Sequence, residues 1–381
     1  MRNLKNNKSM ILPGQTIGIL GGGQLGRMMA ISAREMGYKI AVLDPDPNGP
    51  CAQIADHVIA TAYDDQEGAR RLLEVSDVIT YEFENVDLKV ATLFEERGIL
   101  PQGSRLLQLT QDRIQEKSFI QSQNVPTASF EEAKNEKELE LAIERVGLPC
   151  VVKTSRGGYD GKGQQIVRTA EDISHAQRLI EKGICIVEQW IPFDKEIAVV
   201  LTRGVDGEVT VFPIPENVHV NHILHQSIVP ARISQELRAE AIQWGKTLAT
   251  GLELVGTMAI EMFVKGNELY VNELAPRPHN SGHYTIEACP VSQFDQHVRA
   301  ICGLPLLSLE PSHDAVMVNV LGQHMEEIFK NISKMNNGFL HLYGKSETRE
   351  NRKMGHITYV GESRDELLAL IEQQPPFTFN K

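Results

Sequence analysis

The sequence predicts a mixed α/β protein made of an open α/β unit, a larger α/β unit and a β-rich end. Three stretches predict it. A β-branched run leads into the glycine turn Gly21-Gly22-Gly23-Gln24-Leu25-Gly26 and then into a helical pattern. A second glycine-rich loop follows a short strand that ends in Lys153. A hairpin pattern carries one glutamate on each arm, Glu261 and Glu273. At 381 residues the chain exceeds a single small core, and two or three domains are expected.

Residues 16–20 (TIGIL) read as a strand, 27–36 as a helix stopped by Gly37, and 38–43 as a second strand ending at Asp44. This is a βαβ unit with GxGxxG at its first turn, the pattern of a Rossmann-like phosphate site. Gly21, Gly23 and Gly26 let the backbone approach an anion, and the helix N-terminus favours negative charge. Asp44 stands where a ribose-binding acid would, so a nicotinamide-dependent oxidoreductase is one reading of this unit. A strand at 78–81 delivers Glu82, Phe83, Glu84 and Asn85 to its carboxyl end, the edge at which open α/β sheets bind ligands. Glu82 and Glu84 are candidate contacts for that reason. PQGS at 101–104 closes the unit near residue 110.

From Asp112 the pattern changes. Residues 112–130 read as a helix running into extended chain at Pro126, and 131–146 as a charged helix ended by Gly147-Leu148-Pro149. The strand at 150–152 has Lys153 at its end. Gly157, Gly158, Gly161 and Gly163 then make a loop that also holds Arg156, Tyr159, Asp160 and Lys162, and 165–168 returns as a strand. Such a loop closes over polyphosphate, with backbone N–H groups and a fixed cation neutralising its oxygens. The Walker A order is absent, and no kinase HRD or DFG follows. A strand at 184–187 runs into Glu188-Gln189-Trp190-Ile191, whose backbone suits pairing with a flat base beside an apolar side chain, and Glu196 suits ribose hydroxyls. His219, His222 and His225 recur every third residue. On an alternating strand that spacing puts neighbours on opposite faces, so they are given separate roles.

A helix at 235–251 leads to the hairpin, with arms at 258–264 and 268–274 around Lys265-Gly266-Asn267. Glu261 and Glu273 lie about equally far from the turn, so their side chains should meet across the pair. Two ionised carboxylates in contact on an apolar sheet are costly unless a cation sits between them. Hard oxygen ligands of this kind suit Mg²⁺ shared with phosphate oxygens. Arg277, His279, Asn280 and His283 follow at once, and a metal-phosphate site is the reading set against a solvated pair of glutamates. Beyond it, strands are expected at 316–321, 339–343 and 357–360, a basic loop at 345–353 and a closing helix at 364–373.

The net charge of −12 and the lack of a sustained basic run argue against bulk nucleic acid as a partner. The five cysteines are scattered and never form CxxC, which points to buried, reduced thiols. No stretch is long enough to span a membrane, and the first residues hold only a three-residue apolar run, too short for a signal sequence. A cytoplasmic protein is the expectation.

Taken together, GGGQLGRMM, YEFENV, GGYDGKGQ, NELAPRPHNSGH and RKMGH resemble the ATP-grasp superfamily and, more narrowly, the N5-carboxyaminoimidazole ribonucleotide synthases of bacterial and fungal purine synthesis. The resemblance covers nearly the whole chain after the first fifteen or so residues. It implies an ATP-grasp fold, with a Rossmann-like pre-ATP-grasp domain at 1–110, an ATP-grasp domain carrying the glycine-rich lid at 111–305 and a small β-rich C-terminal domain at 306–381. It implies a homodimeric ligase using ATP as co-substrate, Mg²⁺ (or Mn²⁺ in its place) and bicarbonate to carboxylate 5-aminoimidazole ribonucleotide through carboxyphosphate. Arg113, Lys153, Gly158, Tyr159, Asp160, Gly161, Lys162, Gly163, Gln164, Glu188, Gln189, Trp190, Ile191, Glu196, His219, Asn272 and Glu273 match the family's ATP-binding positions, and Glu261 and Glu273 its metal ligands. Many ATP-grasp enzymes have an Asn two residues after the second glutamate; Ala275 stands there in this chain, so no third ligand is expected. The ribonucleotide is expected against Gln24, Leu25, Glu82, Asp160, Arg277 and His279, with Lys345 and Arg352 on its 5′-phosphate. Lys153, Arg277 and Asp160 are the catalytic candidates, Asp160 as the group that orients or deprotonates the amine. A formate-dependent ligase acting on glycinamide ribonucleotide is the alternative within the same fold, and a non-catalytic nucleotide sensor is another.

Overall fold

The computed structural model describes residues 10–157, 163–309, 313–335 and 337–374. Its first unit is a parallel sheet in the order His57–Ile59, Lys39–Leu43, Thr16–Leu20, Val78–Tyr81. Thr16–Leu20 is buried along its whole length, which is why it reads as a continuous apolar run and not as an alternation. The helix Gln24–Glu35 starts straight from the glycine turn and buries Leu25, Met28, Met29 and Ala33 against the sheet. Asp87 caps the helix Leu88–Glu96 by accepting from the amides of Lys89 and Val90.

The second unit has two sheets. A small antiparallel sheet orders Phe130–Ala133, Cys185–Gln189, Cys150–Thr154 and Gln164–Val167, and the helices Glu136–Val146 and Ile173–Ile180 cover one face of it. The expected helix at 131–146 is therefore two elements. Asn135, two residues past the strand, caps the helix by accepting from the Glu138 amide, while Glu138 reaches back to the Lys134 amide. That N-x-x-E spacing is a helix-start signal, and it overrides the helical spacing of the charges before it.

The large sheet is antiparallel throughout and has nine strands among the described residues. The hairpin of Gly256–Lys265 and Glu268–Ala275 forms one edge. Lys195–Arg203, Glu216–Val220 and Ile223–Val229 follow, then Asp314–Leu321, Lys353–Gly361 and Phe339–Leu342, while Val209–Val211 pairs with Lys195–Arg203. The β-rich end thus continues the second unit's sheet, with Asp314–Leu321 paired to Ile223–Val229. Lys353, expected in the basic loop, already lies in the long strand that ends it.

The units are also tied through buried polar groups. The helix Gln293–Ile301 packs Phe294, Val298 and Ile301 into the first unit's core. On that helix His297 Nε2 is 2.8 Å from Thr80 Oγ1, and His297 Nδ1 accepts from the Thr257 amide at 3.1 Å. Thr80 donates to Gln102 Oε1, and Gln102 Nε2 donates to the Pro276 carbonyl. The first unit, the hairpin and the segment carrying Arg277 are pinned by this one chain of hydrogen bonds. Among the described residues no helix is long and apolar enough to cross a membrane.

Candidate active site

The three sheets and the loop around Arg352 enclose a cleft of about 1100 Å³. The glycine turn lies at one end of it. Gly21 adopts φ +104°, and a Cβ there would stand 2.4 Å from Glu82 Cγ; at Gly23 it would stand 2.6 Å from Glu82 Oε1. The glycines are needed because the chain brings its own anion. Glu82 accepts from the amides of Gly23 and Gly26, the latter at 2.7 Å. Burial pushes its carboxyl up, against these two donors. Asp44, expected as a ribose ligand, accepts from the Gly22 amide, the Tyr63 hydroxyl and the Asp46 amide. It braces the turn, and the nicotinamide reading loses its acid. Gln24, Leu25 and Glu82 all line the cleft.

In the small sheet Lys153 Nζ donates to Glu188 Oε2 at 3.0 Å. Lys117, from the helix Arg113–Ser122, lies 3.5 Å from the same oxygen. Burial alone would raise the Glu188 carboxyl, but the two ammonium groups outweigh it and hold it below the usual range. Lys117 is missed by sequence reasoning; its only signal is a lysine on the apolar face of an amphipathic helix. At that helix's start Asp112 accepts from Ser155 Oγ and Arg156 Nε, and Arg113 Nη1 donates to the Gly157 carbonyl at 2.6 Å. The entry to the second glycine loop is thereby fixed. Gly158, Tyr159, Asp160, Gly161 and Lys162 lie outside the described residues. Gly163 resumes the chain, and Gln164 lines the cleft with Gln189, Trp190 and Ile191.

In the large sheet Glu196 Oε2 is 3.3 Å from His219 Nδ1. His222 sits with Asn221 in the two-residue turn between Glu216–Val220 and Ile223–Val229, both at positive φ, so the three histidines do not share one strand. His225 is buried, and burial pushes its imidazole down to about 4.

Glu261 and Glu273 are direct cross-strand partners. Burial first, then Glu273, then Glu196 push the Glu261 carboxyl well above the usual range. His279 Nε2 stands 3.3 Å from Glu261 Oε1, yet burial and the neighbouring Arg277 push that imidazole well below its usual range. Two facing carboxylates short of positive charge, each an oxygen donor, fit a hard divalent cation. Among the described residues no group of three or more His, Cys, Asp or Glu side chains forms a metal site, so these residues offer two carboxylates and no full cage. Asn272 lines the cleft beside them, and Ala275 is buried at the strand's end.

Arg277 crosses to the first unit. Its Nε donates to Glu84 Oε2 at 2.7 Å and its Nη2 to Glu84 Oε1 at 3.3 Å. Burial would raise the Glu84 carboxyl, but the guanidinium holds it below the usual range. On the far wall Lys345 Nζ donates to the Lys353 carbonyl, and Arg352 Nη1 to the Glu347 carbonyl. Burial and the Arg352 charge bring Lys345 down to about 8. Lys345, Arg352 and Lys353 line the cleft opposite a first-unit wall made of Glu82 and Glu84.

Three family models match the chain: a ribonucleotide synthetase preATP-grasp domain over residues 14–111, an ATP-grasp domain over 118–294 and a phosphoribosylaminoimidazole carboxylase C-terminal domain over 315–370. The N5-carboxyaminoimidazole ribonucleotide synthase of Bacillus subtilis (strain 168) is 48% identical over 361 residues, which cover 94% of this chain and 95% of the relative. A crystal structure of an N5-carboxyaminoimidazole ribonucleotide synthetase in complex with ADP superposes with a TM-score of 0.93 at 52% identity, covering 95% of this chain and 96% of the other. The Aspergillus clavatus N5-carboxyaminoimidazole synthase, crystallised with ADP and 5-aminoimidazole ribonucleotide, gives a TM-score of 0.88 at 31% identity, covering 94% of this chain and 96% of the other.

Proposed function

This chain belongs to the N5-carboxyaminoimidazole ribonucleotide synthase family of ATP-grasp enzymes, and from that membership we propose how its cleft works. The enzyme is a ligase that converts 5-aminoimidazole ribonucleotide to N5-carboxyaminoimidazole ribonucleotide with ATP. Bicarbonate is the carboxyl donor. One of its oxygens attacks the γ-phosphorus, ADP leaves, and the carboxyphosphate so formed passes its carboxyl carbon to the exocyclic amine, releasing phosphate.

The observation that carries this reading is a single cleft lined at once by Lys153 and Glu188, by Glu261 and Glu273, and by Glu82, Arg277, Lys345 and Arg352. ATP lies between the small and large sheets. Lys153, oriented by Glu188, holds phosphate oxygens, Glu196 and His219 the ribose, and residues 188–191 the base. Arg113 fixes the entry to the glycine loop. Glu261 and Glu273 would hold Mg²⁺, which would supply charge neutralisation for the polyphosphate. Phosphoryl transfer of this kind depends on positioning and electrostatics more than on covalent help. Lys345 and Arg352 hold the ribonucleotide's 5′-phosphate, and Gln24, Leu25, Glu82 and His279 its sugar and ring. Arg277, clamped by Glu84, stands where the two halves of the reaction meet and binds the anionic carboxyl donor. Asp160 keeps its assignment to the amine from its place between the glycines of the loop in the sequence and from the resemblance. The domain limits of 1–110, 111–305 and 306–381, a homodimer and a cytosolic location belong to the same proposal, and light scattering on the purified protein tests the dimer.

The test is phosphate release with ATP, bicarbonate and 5-aminoimidazole ribonucleotide, each omitted in turn, with formate replacing bicarbonate in one arm. Release that depends on the ribonucleotide and on bicarbonate is the expected result. Absence of ribonucleotide-dependent release in the full mixture, or stimulation by formate, overturns it.

A further inference from the structure

The pairing of Glu261 with Glu273 depends on an irregularity in the hairpin. From the turn outward the register is regular: Lys265 opposes Glu268, Val264 Leu269, Phe263 Tyr270 and Met262 Val271. One more regular step would set Glu261 against Asn272 and turn Glu273 to the other face of the sheet. Instead Glu261 opposes Glu273, and Asn272 is an extra residue in its strand. This is a β-bulge, which re-aims side chains and leaves backbone groups outside the ladder. The bulged strand is also the edge of the large sheet, so among the described residues no further strand takes up those groups.

Side chains take them up instead. Lys117 Nζ donates a hydrogen bond to the Asn272 carbonyl at 3.0 Å, and the Leu274 amide donates to Glu116 Oε1 at 2.8 Å. The two partners are consecutive residues of the helix Arg113–Ser122, and both are buried. They bracket Glu273 from either side along the chain. The Val271 amide just before the bulge donates to the Pro126 carbonyl. Two successive residues, Val271 and Asn272, thus direct a backbone group away from the hairpin, as a bulge requires and a regular strand forbids.

We infer that Glu116 and Lys117 are positioning residues for the metal site: their side chains hold the bulge at Asn272 that turns the Glu273 carboxylate toward Glu261. The inference rests on the reading of Glu261 and Glu273 as ligands of a divalent cation. It accounts for a charged dipeptide buried in a helix whose other inward residue is apolar, where a solvated bulge would need neither side chain.

The test is Mn²⁺ binding, followed by electron paramagnetic resonance at saturating ADP, beside ADP affinity measured calorimetrically without metal. Glu116→Leu removes the acceptor for the Leu274 amide and is expected to weaken Mn²⁺ binding about tenfold, the low end for residues that orient a metal ligand, with metal-free ADP affinity unchanged. Glu116→Gln keeps an acceptor oxygen there and is expected to restore the binding. Glu116→Met, unbranched like glutamate, also removes the acceptor; it serves if Glu116→Leu fails to fold, and the same loss is expected. Wild-type Mn²⁺ affinity in Glu116→Leu, or an equal fall in metal-free ADP affinity, overturns the inference. A wild-type protein that takes up no Mn²⁺ with ADP overturns the metal-site reading, and the inference with it.

Discussion

Glu188 and Glu261 belong to the two sheets that line one cleft, and their carboxyls are displaced in opposite directions. Desolvation raises both. The difference lies in their neighbours. Glu188 has Lys153 at 3.0 Å and Lys117 at 3.5 Å, so its negative charge is completed within the chain. Glu261 faces Glu273 and lies near Glu196, so its charge is aggravated there. One glutamate is part of the scaffold that orients a lysine. On the proposed reading, the other is completed by a cation brought in with the nucleotide. Burial by itself does not separate a structural carboxylate from a ligand-binding one; the sign of the surrounding charge does.

The largest effect expected from this contrast is on catalysis. Glu273→Gln or Glu261→Gln should lower kcat by roughly a thousandfold, the scale of several kcal/mol of lost charge stabilisation at the transferring phosphoryl group. The same changes remove a like-charge contact, so the melting temperature of the metal-free protein should hold or rise. Steady-state phosphate release and a thermal melt on the same samples check both. A variant that keeps wild-type turnover would return the hairpin to a solvated pair of surface glutamates.

Glu188→Gln should behave in the opposite way. It leaves Lys117, 2% exposed, without its carboxylate, and breaking a buried pair from one side costs about 3 kcal/mol. The melting temperature should fall by several degrees with or without metal, and the KM for ATP should rise as Lys153 loses its orientation. A melt equal to wild type would show that Lys117 is satisfied without Glu188.

The same contrast marks what could be read in the sequence. The parallel sheet, its glycine turn, the helix at 235–251 and the hairpin follow from local patterns: β-branched runs, glycines at turns and 3.6-residue spacing. The pairing of Glu261 with Glu273 follows only in part. Counting from Gly266 puts the two about level, but the bulge at Asn272 decides it, and its partners Glu116 and Lys117 are more than 150 residues away. Lys117 and Glu188 lie on different elements far apart on the chain, so no local spacing announces them. The glycine turn was legible as an anion site. That Glu82 is the anion it holds depends on a strand 56 residues further on. The β-rich end reads as a separate unit because edge-to-edge pairing with Ile223–Val229 leaves no local trace in either segment.

His297 supplies the case with no charged neighbour, and the smallest predicted effect. Burial alone pushes its imidazole down to about 3. Its partners explain why the neutral form is fixed. Thr80 gives its proton to Gln102, so it accepts from Nε2–H, and Nδ1 must stay bare to accept the Thr257 amide. Above pH 6.5 the imidazole is neutral folded and unfolded, and nothing is lost. Below that value the unfolded chain binds a proton that the fold refuses, so stability falls as the pH drops toward 3. Each pH unit costs about 1.4 kcal/mol, or about 2 kcal/mol by pH 5. His297→Gln should lose about 1 kcal/mol at pH 7.5 from poorer hydrogen bonds. Between pH 6.5 and 5 its unfolding free energy should fall less steeply than wild type by one proton's worth. Urea titrations across that range measure both, and the other buried histidines cancel in the difference between the two proteins. A variant with the wild-type slope would mean that His297 already shares its site with a proton, and that burial alone does not set the charge of a group in this fold.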